Sequence, residues 1–336
     1  MKSNFGKEIR PTKTGITDKE HEFEQMLIKA GAKGSYLVFA NFFESDIPKH
    51  LRAIDRNAKE TLLPVWLKNF RVNLERRLAS INWQTTVDDR RALIVGAGPS
   101  LKKQYGILQR GARIPNDVDV FCADRAFNTL RDLMCSTKYI VTVDADDKVA
   151  DYYEQPASEM PYPISLLPVT CSPKVQPQGQ KRWYIPSIDE QTDKIMQLMT
   201  GLPVITSGGN VNSACCAIAE YLGYKELILV GFDFAYELTE KGITTQTGDQ
   251  TEDYEYWFNA FKSTGASDET IQKAYTTIEH PHFKTRCLSD IVFTAYRTAF
   301  YSWLDKTKCK VTNATEGGAL IHNKLEYKRL EEILDK

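Results

Sequence analysis

Two short segments carry the residue types that grip an anion. Gly96-Ala97-Gly98-Pro99-Ser100-Leu101 follows a brief apolar run, and Thr206-Ser207-Gly208-Gly209-Asn210-Val211-Asn212 opens a stretch of helical spacing. Glycine has no Cβ to keep a phosphate from the backbone, and a helix N-terminus offers unpaired N–H groups and a partial positive charge. Pro99 suits the first turn of a helix, and Ser100 adds a hydroxyl donor. The first segment is neither GxGxxG nor GxxxxGK[ST], so it is neither of the common dinucleotide or triphosphate loops. Each segment alone has a plainer reading, a structural glycine turn or a helix start capped by Ser or Asn. Together they point to one nucleotide phosphate held by Gly96, Gly98, Pro99 and Ser100 on one side. Thr206, Ser207, Gly208, Gly209, Asn210 and Asn212 would face it from the other.

Acidic residues follow several apolar runs. Asp124 and Arg125 come after Val118–Cys122, Asp144, Asp146 and Asp147 after Tyr139–Val143, and Asp233 after Leu227–Val230. Carboxylates there can hold a ribose hydroxyl, bind Mg²⁺ or orient an acceptor. His280 and His282 are candidates for a general base near neutral pH, although two histidines without a third ligand make a poor metal site. Thr312–Gly318 gathers hydroxyls, Asn313, Glu316 and two glycines, as a tight turn or as a loop for base and sugar. Asp233, His280 and His282 are therefore the catalytic candidates.

These residues need a sheet edge to bring them together. Short apolar runs at 92–95, 118–122, 139–143, 166–169 and 227–230 alternate with helical patterns near 125–134, 188–199 and 211–222. That alternation predicts a Rossmann-like α/β fold, a mostly parallel sheet with helices on both faces, whose ligands sit at the carboxyl ends of the strands. Helical spacing from Asp18 to about Ser80 predicts an α-helical N-terminal appendage packed on the sheet. Further helices are expected near 254–263, 267–277 and 291–306, a last strand at 310–312, and a terminal helix at 324–334. The organisation read this way is a helical region 1–88, a nucleotide-binding catalytic domain 89–322, and a C-terminal helix 323–336.

Composition narrows the function classes. The net charge of -1 argues against a chain-wide grip on nucleic acid. No apolar run approaches the roughly 20 residues of a membrane span. The polar N-terminus lacks a signal-peptide core, and the seven cysteines form no CxxC pair. A cytoplasmic protein with buried free thiols is the expectation.

In combination, GAGPSL, ADRAF, VTVDADD, SGGNVNSACCAIAEYLGYKELILVGFDFAY and NATEGG resemble one family. It joins the motility-accessory (Maf) flagellin glycosyltransferases to the MptE-like 6-hydroxymethylpterin diphosphokinases, and the likeness spans about residues 60–320. A second similarity, through GAGPSL, Pro115–Phe121, Ile205–Gly208 and Leu222–Leu227, is to small bacterial CMP-sialic acid sialyltransferases. Those enzymes carry an asparagine that contacts the CMP phosphate where this chain has Ala97. They also use a histidine base, to which His280 or His282 is the nearest counterpart. The resemblance implies a glycosyltransferase that moves a nonulosonic (sialic-like) sugar from a CMP donor to a hydroxyl of a protein or glycan, with no metal. Its alternative is Mg²⁺-dependent diphosphate transfer from ATP to a hydroxymethylpterin, with Asp144, Asp146 and Asp147 as ligands. A third reading is a non-catalytic nucleotide-sugar binding protein.

Overall fold

The computed structural model describes residues 62–81, 87, 89–109, 113–153, 161–254, 259 and 275–334. The helices expected between Asp18 and residue 61, and most of those expected at 254–263 and 267–277, lie outside the described residues. Residues 62–74 form a helix, α1. The strands of the main sheet are β1 (Arg91–Val95), β2 (Val118–Ala123), β3 (Tyr139–Val141), β4 (Ile164–Pro168), β5 (Lys181–Pro186), β6 (Val204–Ile205) and β7 (Glu226–Val230). After the insertion described below, β13 (Lys310–Asn313) and β14 (Glu326–Tyr327) complete it. The order is β14-β13-β7-β1-β2-β3-β4-β5-β6, and every pairing is parallel.

Parallel strands must be covered on both faces, which is why the strand sequences are apolar throughout rather than alternating. β1 is buried at four of its five positions and β2 at all six. One face is packed by α2 (Tyr105–Leu108), α3 (Asp124–Asp132), α4 (Glu190–Thr200) and α7 (Leu330–Leu334), through Leu108, Phe127, Leu130, Met196 and Leu330. The other is packed by α5 (Val211–Tyr221) and α6 (Ile291–Leu304), through Cys215, Ile218, Phe300 and Leu304. Local signals set the helix starts. Asp189, Asn210 and Asp290 each accept an N–H from the first turn of α4, α5 and α6.

The described part of the N-terminal region is fastened to the sheet. From α1, the Asn69 amide donates to the carbonyls of Ala145 and Thr170 at 3.0 Å, and Asn73 donates to Val169 and Cys171 at 2.9 Å. Residues 79–81 then run beside β5, with the Trp183 N–H donating to Ala79 at 2.8 Å.

Two readings of the sequence are corrected here. A second sheet, antiparallel and ordered β10-β9-β8-β12-β11, stands where loops and a helix were expected. Its strands are β8 (Tyr236–Thr239), β9 (Gly242–Thr244), β10 (Thr251–Glu252), β11 (Tyr275–Glu279) and β12 (Arg286–Asp290). Residues 275–277, expected in a helix, belong to β11. The C-terminal segment is also not a separate helix, because β14 joins the main sheet before the short α7 begins.

Candidate functional site

The chain lays β2 to β6 on one side of β1 and β7, β13 and β14 on the other. The strand order therefore reverses between β1 and β7, and loops leaving their carboxyl ends part there to leave a crevice. A cavity of about 490 Å³ occupies that place. Its floor is Gly98, Asp124, Gly231 and Asp233, at the ends of β1, β2 and β7. Gly209, Asn210, Val211 and Asn212, from the start of α5, close one side. The two glycine segments, more than a hundred residues apart in sequence, thus meet at one cavity.

Their amides are used differently from the expectation. The Gly96 N–H donates to Val230 O at 2.8 Å and the Gly98 N–H to Gly231 O at 3.1 Å. The Ser100 N–H donates to Asp233 Oδ1 at 3.2 Å and its hydroxyl to Oδ2 at 2.7 Å. These glycines bring β1 and β7 into close backbone contact. A Cβ on Gly96 would lie 2.5 Å from Gly231 O, and one on Gly98 would overlap the Asp233 carboxylate. Gly96, Pro99 and Ser100 do not line the cavity, because Pro99 and Ser100 are buried beneath the turn. The backbone N–H groups of Gly96, Gly98 and Ser100 are therefore already spent.

The second segment keeps donors free. Asn210 Oδ1 caps α5 by accepting the Ser213 N–H at 3.0 Å, and its amide donates to Ser213 Oγ at 2.9 Å. Val211 and Asn212 occupy the first turn, where N–H groups have no intrahelical acceptor. Gly208 and Gly209 reach this geometry through φ values of 61° and 80°. Thr206, Ser207 and Gly208 stand behind the cavity wall rather than in it.

Two carboxylates on the floor are buried. Asp233 is 4% exposed, and burial pushes its carboxyl up to about 7 against the lowering effect of Ser100 and Lys103. Asp124 is 5% exposed and is pushed up to about 6 by burial, although it accepts the Thr142 hydroxyl and the Arg125 N–H. Asp144 and Asp146 line the rim, and each accepts a backbone N–H two residues ahead. Asp147 turns away to Ser172 at 2.6 Å and Lys174 at 2.7 Å. The three aspartates thus do not converge, and among the described residues no group of three or more His, Cys, Asp or Glu could hold a metal ion. The rim retains two carboxylates, which with nucleotide phosphates suit a Mg²⁺ ion.

The histidines and the 312–318 turn do not reach the cavity. His280 is wholly buried, with Nε2 donating to Leu320 O at 3.2 Å and Nδ1 accepting the N–H groups of His282 and Phe283. Burial pushes it down to about 4, so it is a neutral clamp for the β11–β12 turn. His282 is exposed and stacks on Tyr327 with ring centroids 3.9 Å apart. Asn313 donates to Leu320 O and accepts the Thr315 N–H. Glu316 accepts from Gln104 at 2.9 Å. Both residues hold their own turn together and contribute nothing to the cavity lining.

A family model of the 6-hydroxymethylpterin diphosphokinase MptE-like proteins matches residues 65–239, a segment containing β1 to β7 and both glycine turns. The chain belongs to the MptE-like family. Among solved structures it is similar to a Maf glycosyltransferase from Magnetospirillum magneticum AMB-1, at 13% identity and a TM-score of 0.54. The match covers 80% of this chain and 38% of that one, and it is a likeness of fold. No curated protein matches the chain.

The MptE-like segment supplies the floor and one wall, and the part after residue 239 supplies the other. Lys148, Val149 and Tyr152 line the first wall beside Arg125, whose guanidinium lies 6.0 Å from the Tyr152 ring centre. Gln246 and Thr247, on the turn between β9 and β10, line the second with Phe293 and Tyr296 of α6. That turn is pinned to the first glycine segment, because Lys102 Nζ donates to Gly248 O and Gly248 packs on Pro99. None of these seven new lining residues sits in a glycine- or acid-rich motif. Tyr296 lay on a helical pattern, where an aromatic residue reads as core.

Proposed function

We propose that this MptE-like protein is a nucleotide-dependent transferase whose donor lies in the cavity at the β1–β7 reversal. The observation that carries the reading is the meeting of the α5 N-terminus, with its unspent Val211 and Asn212 N–H groups, and the buried Asp233 carboxylate in one cavity. The favoured chemistry is glycosyl transfer from a CMP-linked nonulosonic sugar to a hydroxyl acceptor on a protein or glycan. Asp233 takes the acceptor proton as the acceptor oxygen bonds to the anomeric carbon. The bond from that carbon to the phosphate oxygen breaks, and CMP leaves with the electron pair. The α5 N-terminus, Arg125 and Lys148 stabilise the departing charge. Asp124, at the end of β2, is placed for a ribose hydroxyl. A carboxyl near 7 is well matched to proton transfer at neutral pH. This assignment gives the base to Asp233 because His280 and His282 lie off the cavity.

A second reading, diphosphate transfer from ATP to a hydroxymethylpterin, is favoured by Asp144 and Asp146 on the rim. Those two would hold a Mg²⁺ ion, which would neutralise the transferred phosphates. Thermal denaturation with CMP, CDP, ATP plus Mg²⁺, and 6-hydroxymethylpterin separates the two. Stabilisation by CMP without added metal supports the glycosyltransferase. A response confined to ATP with Mg²⁺ reverses the order, and no response to any nucleotide overturns both. Binding without turnover would leave a nucleotide-sugar binding protein.

A further inference from the structure

Three glycines and one serine converge on Asp233. A Cβ on Gly98 would overlap Asp233 Oδ2, and one on Gly318 would overlap the Asp233 backbone. A Cβ on Gly317 would lie 3.3 Å from the Ser100 Cβ and 3.8 Å from Asp233 Oδ1. The Asp233 carbonyl accepts the Ala319 N–H at 2.6 Å, and Ser100 donates both its hydroxyl and its N–H to the side chain. The next residue, Phe234, has φ 47°, a left-handed conformation that a bulky side chain adopts only when its surroundings impose it. Packing this close around a single side chain serves its orientation. A phosphate ligand would instead require Ser100 to face the cavity, which it does not line.

We propose that Ser100 is a positioning residue, which together with the Gly98 and Gly317–Gly318 turns fixes the Asp233 carboxylate for proton transfer in the cavity. The inference rests on the reading of Asp233 as the base. It reassigns two motifs, GAGPSL and NATEGG, from holding a nucleotide to holding that carboxylate. The charged and titratable groups acting on Asp233 are Lys103 on the turn that carries Ser100, Glu237 on β8, and Cys287 on β12. Lys103 and Glu237 are themselves paired at 3.3 Å, so much of their effect on Asp233 cancels. The two Ser100 hydrogen bonds are therefore the main force that favours the ionised form.

The test is a carbon-13 NMR titration of the full chain labelled at aspartate Cγ, with the Asp233 signal identified by its loss in Asp233→Asn. Ser100→Ala should move the Asp233 midpoint upward by about one pH unit, because hydrogen bonds to the charged form are lost. Ser100→Cys, a weaker donor of similar size, should move it part of the way, and decides the matter if Ser100→Ala does not fold. Affinity for CMP, measured by calorimetry, should stay within about twofold, since no ligand contact is removed. An unmoved midpoint in the folded variant overturns the proposal, as does a loss of CMP affinity beyond about tenfold. If CMP fails to bind the wild type, the donor reading falls, while the titration still decides whether Ser100 holds Asp233.

Discussion

Asp233→Asn should change how stability depends on pH. In the folded protein burial holds the Asp233 carboxyl near 7, against an ordinary value of 3.8. Its contribution to stability is fully present below pH 4 and is lost as pH rises through 7, because the unfolded chain ionises first. The rise from 3.8 to about 7 corresponds to about 4 kcal/mol lost by the wild type between pH 4 and pH 8. Asparagine keeps the shape and removes the ionisation. It meets two Ser100 donors with one carbonyl oxygen, which costs about 1 kcal/mol at every pH. Asp124, raised to about 6, slopes the same way, and His280, lowered to about 4, slopes the opposite way. Both are present in the two proteins and cancel in the difference. Urea unfolding at half-unit pH steps should therefore show the variant gaining about 4 kcal/mol on the wild type across the window. Parallel stability curves would refute the claim that Asp233 is a buried, reluctant carboxylate.

Gly98→Ala should lower the urea midpoint by the equivalent of about 1–3 kcal/mol, since the new methyl overlaps the Asp233 carboxylate; an unchanged midpoint counts against the close packing. Arg125→Ala and Lys148→Ala should each weaken nucleotide binding by roughly tenfold in calorimetry while leaving thermal stability unchanged, because both are surface cations on the cavity wall. His280→Ala should destabilise the fold by about 1–3 kcal/mol, as the Leu320 carbonyl loses one of its two donors and the His282 and Phe283 N–H groups lose their acceptor, while His282→Ala changes neither stability nor turnover by more than a small factor. A large loss of turnover in folded His282→Ala would return the base to the histidines.

Six of the nine described strands of the main sheet were legible because they are short apolar runs buried on both faces, whereas β5, β6 and β14 carried no such run. Runs such as Ala92–Val95 and Leu227–Val230 have one meaning, and the residues after them must fall at one edge. That edge gave Gly98, Asp124, Asp144, Asp146, Arg125, Gly209, Asn210, Asn212 and Asp233 as a set. The second sheet was hidden because its strands are two to five residues long and carry Thr and Glu among the apolar positions. His280 looked like a base because its chemistry suits one, and only the fold shows the Leu320 carbonyl and the two turn amides that occupy it. Ser100 was found for the right reason, its hydroxyl, and given the wrong partner. No spacing in the sequence brings Asp233, 133 residues away, onto that hydroxyl.

The charge around the cavity bears on how any nucleotide lies in it. Among the described residues, four carboxylates, Asp124, Asp144, Asp146 and Asp233, face it, with Arg125 and Lys148 as the cations. A phosphate set down among those acids would be repelled, so its place is against the α5 N-terminus and the two cations. The carboxylates then address neutral hydroxyls, the ribose at Asp124 and the acceptor at Asp233. Burial assists this division. It leaves both floor acids partly protonated near neutral pH, which weakens their repulsion of the donor. A bound phosphate would in turn push Asp233 higher, making it a stronger base once the donor is seated. The same burial that costs the fold stability at pH 8 thus readies the carboxylate to take a proton from the second substrate.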